Sequence, residues 1–174
     1  MGTASAILPD GTVVGALVVV NAVGSTLDPA TGKLWAARFC RPGDLPPLRR
    51  PDAVELAAHQ ATLATRLPAR PGQATTLAVI GTDATLTKAQ CAKLSGAGHD
   101  GLARAVNPVH TMLDGDTVFG LATGGRGTPD VAGFHALFTE AGACVTRAVA
   151  RAMLAASSTH GLISYREALP STLG

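Results

Sequence analysis

At 174 residues with a formal net charge of +2, the chain suits one domain with a real core and carries no large basic field. Hydrophobic residues make up 47% but aromatics only 3%, so the core must be built from Ala, Val and Leu. Few rings remain on which bases can stack, and nucleic acid is not an expected partner. No apolar run approaches the roughly 18 residues of a membrane span. The N-terminus Met1-Gly2-Thr3-Ala4-Ser5 lacks the basic start of a secretory signal. Cys40, Cys91 and Cys144, far apart and odd in number, argue against a disulfide framework, so the expectation is a cytoplasmic chain without a membrane partner.

Residues 12–20 are an almost unbroken apolar run after the turn Pro9-Asp10-Gly11, the pattern of a strand buried on both faces. The run ends at Asn21, a polar group that must either tie down a loop or offer its amide to a ligand. Asp28-Pro29-Ala30-Thr31-Gly32 marks a turn, and the Pro- and Arg-rich residues 41–51 a loop. Residues 52–67 suit one weakly amphipathic helix, and 68–74 form a second break. The interval 41–74 thus reads as a linker, a surface excursion or a processed connector between two strands.

The next strand is predicted at 76–82, and a helix opens at Thr87 with Gln90 at capping-box spacing. Leu94, Gly98, Leu102 and Ala105 continue one face of that helix, and Pro108 stops it. His110 to Asp116 is a polar turn feeding a strand at 117–122. Thr128 and Pro129 open a long Ala-rich helix from about residue 130 to 156, with Arg147 and Arg151 favourable near its C-terminal end. Strands and helices of this size predict a layered α/β arrangement. Gly124-Gly125-Arg126-Gly127 lacks the Lys-Ser/Thr ending of a P-loop.

Chemistry gathers at strand edges. Thr75 and Thr76 open the strand at 76–82 just after Pro71 and Gly72, where a rigidly held hydroxyl is either an ordinary β-branched start or a nucleophile. Asn21 is an amide donor, and Asp114 and Asp116 are carboxylates. Together they supply the parts of an acyl-transfer site. A threonine hydroxyl needs a base, and cleavage before Thr75 would free an α-amino group with a pKa of about 7.7–8.0 to serve as one. In an extended segment Asp114 and Asp116 point oppositely; Gly115 permits a bend that brings them together. The alternative is a turn with solvated acids or a cation site. His59, His99, His110, His135 and His160 lie at none of the tight spacings of a zinc motif, and no metal or cofactor is expected.

The runs at 14–24, 74–84, 86–90, 99–105 and 108–119 together resemble the DmpA-type peptidase family. That family includes L-aminopeptidase/D-esterase, the β-aminopeptidases and the nylon-oligomer (6-aminohexanoate-oligomer) endohydrolase. The likeness covers essentially the whole chain and corresponds to the C-terminal half of family members, which are about twice as long. It implies an α/β/β/α sandwich of the N-terminal-nucleophile type, autocleavage into α and β chains, and a homo-oligomer of processed protomers. By position, Thr75 matches the nucleophile that becomes the β-chain N-terminus, Asn21 the oxyanion-side asparagine, and Asp114 and Asp116 the acidic pair beside the threonine of the nylon-oligomer enzyme. The cleaved bond would be Ala74–Thr75, where relatives often carry Asn or Gly before the nucleophile. Residues 1–74 then correspond to the end of an α chain and 75–174 to a β chain, within one domain.

Two functions follow as expectations. One is an autoprocessing amidohydrolase or aminopeptidase acting on small peptides, amino-acid amides or ω-amino-acid oligomers. The other is a catalytically silent module with a structural or interaction role.

Overall fold

A computed structural model describes residues 1–65 and 74–173. Four strands form one sheet in the order β1-β2-β3-β4: β1 (Gly2–Ile7), β2 (Val13–Val19), β3 (Leu77–Thr82) and β4 (Thr117–Ala122). β1 and β2 are an antiparallel hairpin closed by residues 8–12, where Gly11 takes φ +82° and the Asp10 carboxylate accepts from the Thr12 N–H at 2.8 Å. β2 pairs antiparallel with β3, Ala16 opposite Ile80. β3 and β4 are parallel, a pairing that needs a crossover connection, here a helix. That helix is α2 (Lys88–Ala103), opened by the capping box expected at Thr87 and Gln90.

One face of the sheet is covered by α2 and by α3 (Val131–Ala155). The inward strand positions Ala4, Val14, Ala16, Val18, Ala78 and Ile80 alternate with outward ones, and they meet Leu94, Leu102, Val145 and Val149 from the helices. Small residues set the spacing, as the composition requires. A Cβ on Gly101 of α2 would lie 2.4 Å from the Gly142 carbonyl oxygen of α3, and one on Gly120 of β4 would lie 2.4 Å from the Cys91 carbonyl oxygen of α2. The Thr146 hydroxyl uses that closeness to donate to the Gly101 carbonyl at 2.9 Å. The opposite face is apolar and open, so β2 is buried on one face only and not on both as its apolar run predicts: Ile7 is 75% and Phe119 57% exposed, with Leu17, Val19, Leu77 and Leu121 beside them. One sheet with helices on one side and an apolar face on the other is half of an α/β/β/α sandwich.

Several expectations need correction. Strand β1 is an addition to the expected elements: its inward Gly2, Ala4 and Ala6 are too small to mark a core face, and its one large apolar residue, Ile7, points outward. The N-cap of α3 is Asp130, whose carboxylate accepts from the Gly133 N–H at 2.7 Å, and not Thr128 with Pro129 at the first helical position. Arg147 does not serve the α3 C-terminus. It is buried and forms a two-pronged ion pair with Asp44 (2.7 and 2.8 Å), which Arg151 joins at 2.8 Å. Those arginines also donate to the Ser5 and Thr3 carbonyls, so the supposedly peripheral 41–51 loop is locked onto α3 and β1. α1 (Ala53–Ala64), capped by Asp52, buries none of its residues, in keeping with its weak pattern. The predicted break at 68–74 lies outside the described residues except for Ala74. Near the C-terminus, the short α4 (Tyr165–Ala168) brings Tyr165, followed by Leu169, against Leu27 and Leu34. No helix among the described residues is long and apolar enough to cross a membrane.

Candidate active site

The parallel pairing of β3 with β4 continues upstream of both strands, where Ala74 bridges Asp114. This extension brings residues 74–76 alongside residues 114–117. The Gly115 N–H donates to the Ala74 carbonyl oxygen at 2.9 Å, and the Thr117 N–H donates to the Thr76 carbonyl at 3.0 Å. The Thr75 hydroxyl donates to the same Ala74 oxygen at 2.8 Å. A hydroxyl and a backbone amide therefore converge on one carbonyl, that of the peptide bond preceding Thr75. Thr76 behaves differently: it is 1% exposed, and its hydroxyl accepts from the Asn21 N–H at 3.2 Å.

Gly115 is required here for room and not for a bend, since its φ is not in the left-handed range. A Cβ at this position would lie 2.7 Å from the Thr75 hydroxyl oxygen. The two flanking carboxylates keep the opposite directions of an extended segment. Asp114 turns toward the loop after β2 and accepts from the Val23 N–H (2.9 Å), the Thr111 N–H (2.9 Å) and the Thr111 hydroxyl (2.6 Å). Burial pushes its carboxyl up, but these three donors, Thr111 first, outweigh burial with help from His110, and the group is held below its ordinary value.

Asp116 turns the other way. One oxygen accepts from the Thr76 N–H at 2.8 Å; the other lies 2.8 Å from His110 Nδ1. His110 Nε2 lies 3.3 Å from Nδ1 of His99 on α2. Burial, then His110 beside it, hold the His99 imidazole below its ordinary value, against the pull of Asp116 and Asp100.

All four residues singled out in the sequence thus come to one corner of the sheet. Asn21 lies just past the end of β2 with its backbone N–H on Thr76, Thr75 stands at the mouth of β3, and Asp114 and Asp116 flank Gly115 before β4. Sequence reasoning missed the Gly115 N–H, Thr111, and the histidines at 99 and 110. The signal for His110 is its place six residues before an acid across a turn, a spacing that suits a hydrogen-bonded pair. Among the described residues, no group of three or more His, Cys, Asp and Glu is placed to hold a metal ion.

Comparison with known proteins places this corner in context. The family model for peptidase family S58 matches residues 1–165. The chain belongs to peptidase family S58. It is 44% identical over 186 residues to an uncharacterized aminopeptidase of Mycobacterium tuberculosis, and 43% identical over 185 residues to one of Mycobacterium leprae. Those alignments take in 100% of this chain but 53% and 49% of the relatives, so the S58 chain spans about half the length of the curated relatives it matches. Among solved structures, it superposes on a Burkholderia sp. β-aminopeptidase with a TM-score of 0.54 at 22% identity, covering 98% of this chain and 48% of the other. It also superposes on the L-aminopeptidase D-Ala-esterase/amidase of Ochrobactrum anthropi, described as a variant of the Ntn hydrolase fold, with a TM-score of 0.53 at 18% identity over 95% of this chain and 45% of the other. The S58 chain therefore shares the fold of N-terminal-nucleophile hydrolases.

Proposed function

We propose that the protein is an N-terminal-threonine amidohydrolase that matures by cutting its own Ala74–Thr75 bond. The observation that carries this reading is the convergence on the Ala74 carbonyl oxygen of the Thr75 hydroxyl at 2.8 Å and the Gly115 N–H at 2.9 Å. In the first step the Thr75 oxygen attacks the Ala74 carbonyl carbon, closing a small ring through its own Cβ, Cα and N. The developing oxyanion is already held by the Gly115 N–H, which needs no reorganisation to stabilise it. The carbon–nitrogen bond breaks, the hydroxyl proton passes to the departing nitrogen, and an ester to Thr75 remains. Water then hydrolyses the ester, leaving a carboxylate on Ala74 and a free α-amino group on Thr75.

That amine becomes the base for turnover. It accepts the hydroxyl proton as Thr75 attacks a substrate amide and returns it to the leaving amine. The Gly115 N–H, released from Ala74, serves the substrate carbonyl, and the Asn21 amide is assigned to the same oxyanion. Asp114 and Asp116 hold the loops that carry these groups. Thr76 is the weaker candidate nucleophile, since its hydroxyl is buried and already accepts from Asn21.

The substrates we assign are small peptides, amino-acid amides or ω-amino-acid oligomers of the nylon type. The last class is favoured by a threonine paired with Asp-Gly-Asp. The open apolar sheet face must be covered for the site to gain its far wall, and we assign that role to a second sheet within a homo-oligomer of processed, cytoplasmic protomers. The test is release of amine from β-alanyl, L-aminoacyl and 6-aminohexanoyl amides. Thr75→Ser should retain turnover and Thr75→Ala should lose it; equal turnover in Thr75→Ala and the parent removes Thr75 from the mechanism.

A further inference from the structure

The hydrogen bonds from Asp116 do not end at His110. A line of contacts runs from the Thr76 N–H to Asp116 (2.8 Å), to His110 Nδ1 (2.8 Å), and from His110 Nε2 to His99 Nδ1 (3.3 Å). The imidazole rings meet edge to face, with centroids 4.7 Å apart and an interplanar angle of 69°. Exposure rises along the line: the Asp116 side chain is 3% exposed and that of His110 33%. His110 also sits in the left-handed region at φ +53°, a conformation kept at sites that need a side chain aimed in one direction.

The donors and acceptors along this line are constrained. An ionised Asp116 accepts only, so His110 Nδ1 carries a proton. When the histidine pair is neutral, His110 Nε2 is an acceptor and His99 Nδ1–H must donate to it. When the pair gains a proton on His110, Nε2–H donates to His99 instead. The His110 Nδ1–H bond to Asp116 persists in both states. What changes is whether the carboxylate faces a dipole or a cation, and so how much of its charge falls on the Thr76 N–H.

We propose that His110, backed by His99, is a positioning residue that transmits the charge of the histidine pair through Asp116 to the backbone beside Thr75. The charged and titratable groups facing the pair are Asp114 and Asp116 from the residue 107–116 loop and Asp100 from α2. The consequence for hydrolysis rests on the Thr75 mechanism; the coupling itself does not. Loss of the extra proton from the pair concentrates the Asp116 charge on the Thr76 N–H, tightening the mouth of β3 beside Thr75.

The experiment is an amide-resonance titration of the full 174-residue chain between about pH 5 and 8, following the Thr76 N–H beside the His99 and His110 ring signals. The Thr76 resonance is expected to move with the midpoint of the ring signals. His110→Asn keeps a donor near the position of Nδ1, tolerates positive φ and cannot gain a charge, so its Thr76 resonance is expected to lose the step at the parent's ring midpoint and keep only any step from a freed Thr75 amine. His99→Gln is expected to move the Thr76 midpoint by a few tenths of a pH unit or more. A Thr76 resonance that titrates alike in the parent and His110→Asn overturns the proposal, as does one that never moves in the parent. If His110→Asn does not fold, an unmoved midpoint in His99→Gln overturns it equally. Self-cleavage rates taken in parallel separate the two ideas: absence of cleavage in every protein counts against the Thr75 mechanism, while the amide titration alone decides the coupling.

Discussion

The Gly115 N–H donates to the Ala74 carbonyl oxygen at 2.9 Å, the same oxygen that receives the Thr75 hydroxyl. The contact follows from strand pairing and not from any special side chain, because the parallel β3–β4 ladder simply continues by one bridge. An amide fixed by a sheet cannot drift when charge develops on its acceptor, which is what electrostatic preorganisation requires.

Gly115→Ala tests that arrangement. The added methyl would stand 2.7 Å from the Thr75 oxygen and push it off the Ala74 carbonyl while leaving the Gly115 N–H in place. Since misplacement of a reacting atom by about 1 Å costs on the order of 100-fold, self-cleavage followed by gel densitometry is expected to slow by about that factor. Folding, read by urea denaturation, is expected to change far less, because β3 and β4 are otherwise untouched.

Asp114 is a structural clamp more than a catalytic acid, since its carboxylate accepts three hydrogen bonds that fasten the loop after β2 to the residue 111–114 turn. Asp114→Asn must present an amide to at least one of those donors, at a cost of about 2 kcal/mol in unfolding free energy. The folded-state pKa is depressed, so the stability Asp114 contributes is complete above its unfolded value and is lost as pH falls through the carboxylate range. Urea titrations at pH 7 and pH 3 are expected to show a large gap between the parent and Asp114→Asn at the higher pH and a smaller one at the lower.

Asp44 makes a parallel case with a defined window. The Arg147 hydrogen bonds lower its carboxyl from the ordinary 3.8 to about 2, against the upward push of burial, with the Arg41 N–H and Arg151 helping. About 2 kcal/mol of stability should therefore disappear between roughly pH 4 and pH 2. Asp44→Asn removes that segment of the pH profile. It also strands the buried Arg147 guanidinium, and breaking such a pair costs about 3 kcal/mol at neutral pH. Thermal or urea unfolding across that range checks both parts.

Gly101→Ala sets two effects of known size against each other. Alanine in a helix interior is favoured over glycine by about 1 kcal/mol. Here the methyl meets the Gly142 carbonyl oxygen at 2.4 Å and the Val145 Cβ at 2.8 Å, backbone and branch-point atoms that cannot swing aside. Overpacking of this kind costs about 1–3 kcal/mol, and separating α2 from α3 also breaks the Thr146 bond to the Gly101 carbonyl. A net loss of about 2 kcal/mol is expected in denaturant unfolding; a gain would mean the helices can part freely.

Much of this was legible in the sequence because the signals were local. The capping box at Thr87 and Gln90, the strand at 117–122 and the one at 76–82 depend on neighbours in the chain, and each formed where expected. The corner containing Asn21, Thr75, Asp114 and Asp116 was legible through resemblance. What the sequence hid was long-range pairing. The Asp44–Arg147 contact joins residues 103 apart and turns an apparent linker into an anchored loop. The His99–His110 contact depends on how α2 docks, and the Gly115 N–H has no side chain to announce it. Strand β1 was hidden for the opposite reason, since a core face of Gly and Ala alone gives no strong hydropathy period to read.

The most direct test of the central claim is intact mass of the purified chain under denaturing conditions, with Thr75→Ala beside it. Cleavage at Ala74–Thr75 is expected to give two fragments from the parent and a single 17.5 kDa species from Thr75→Ala. A parent that stays whole after prolonged incubation, or a Thr75→Ala chain that splits at the same bond, would contradict the mechanism built on the Thr75 hydroxyl and the Gly115 amide.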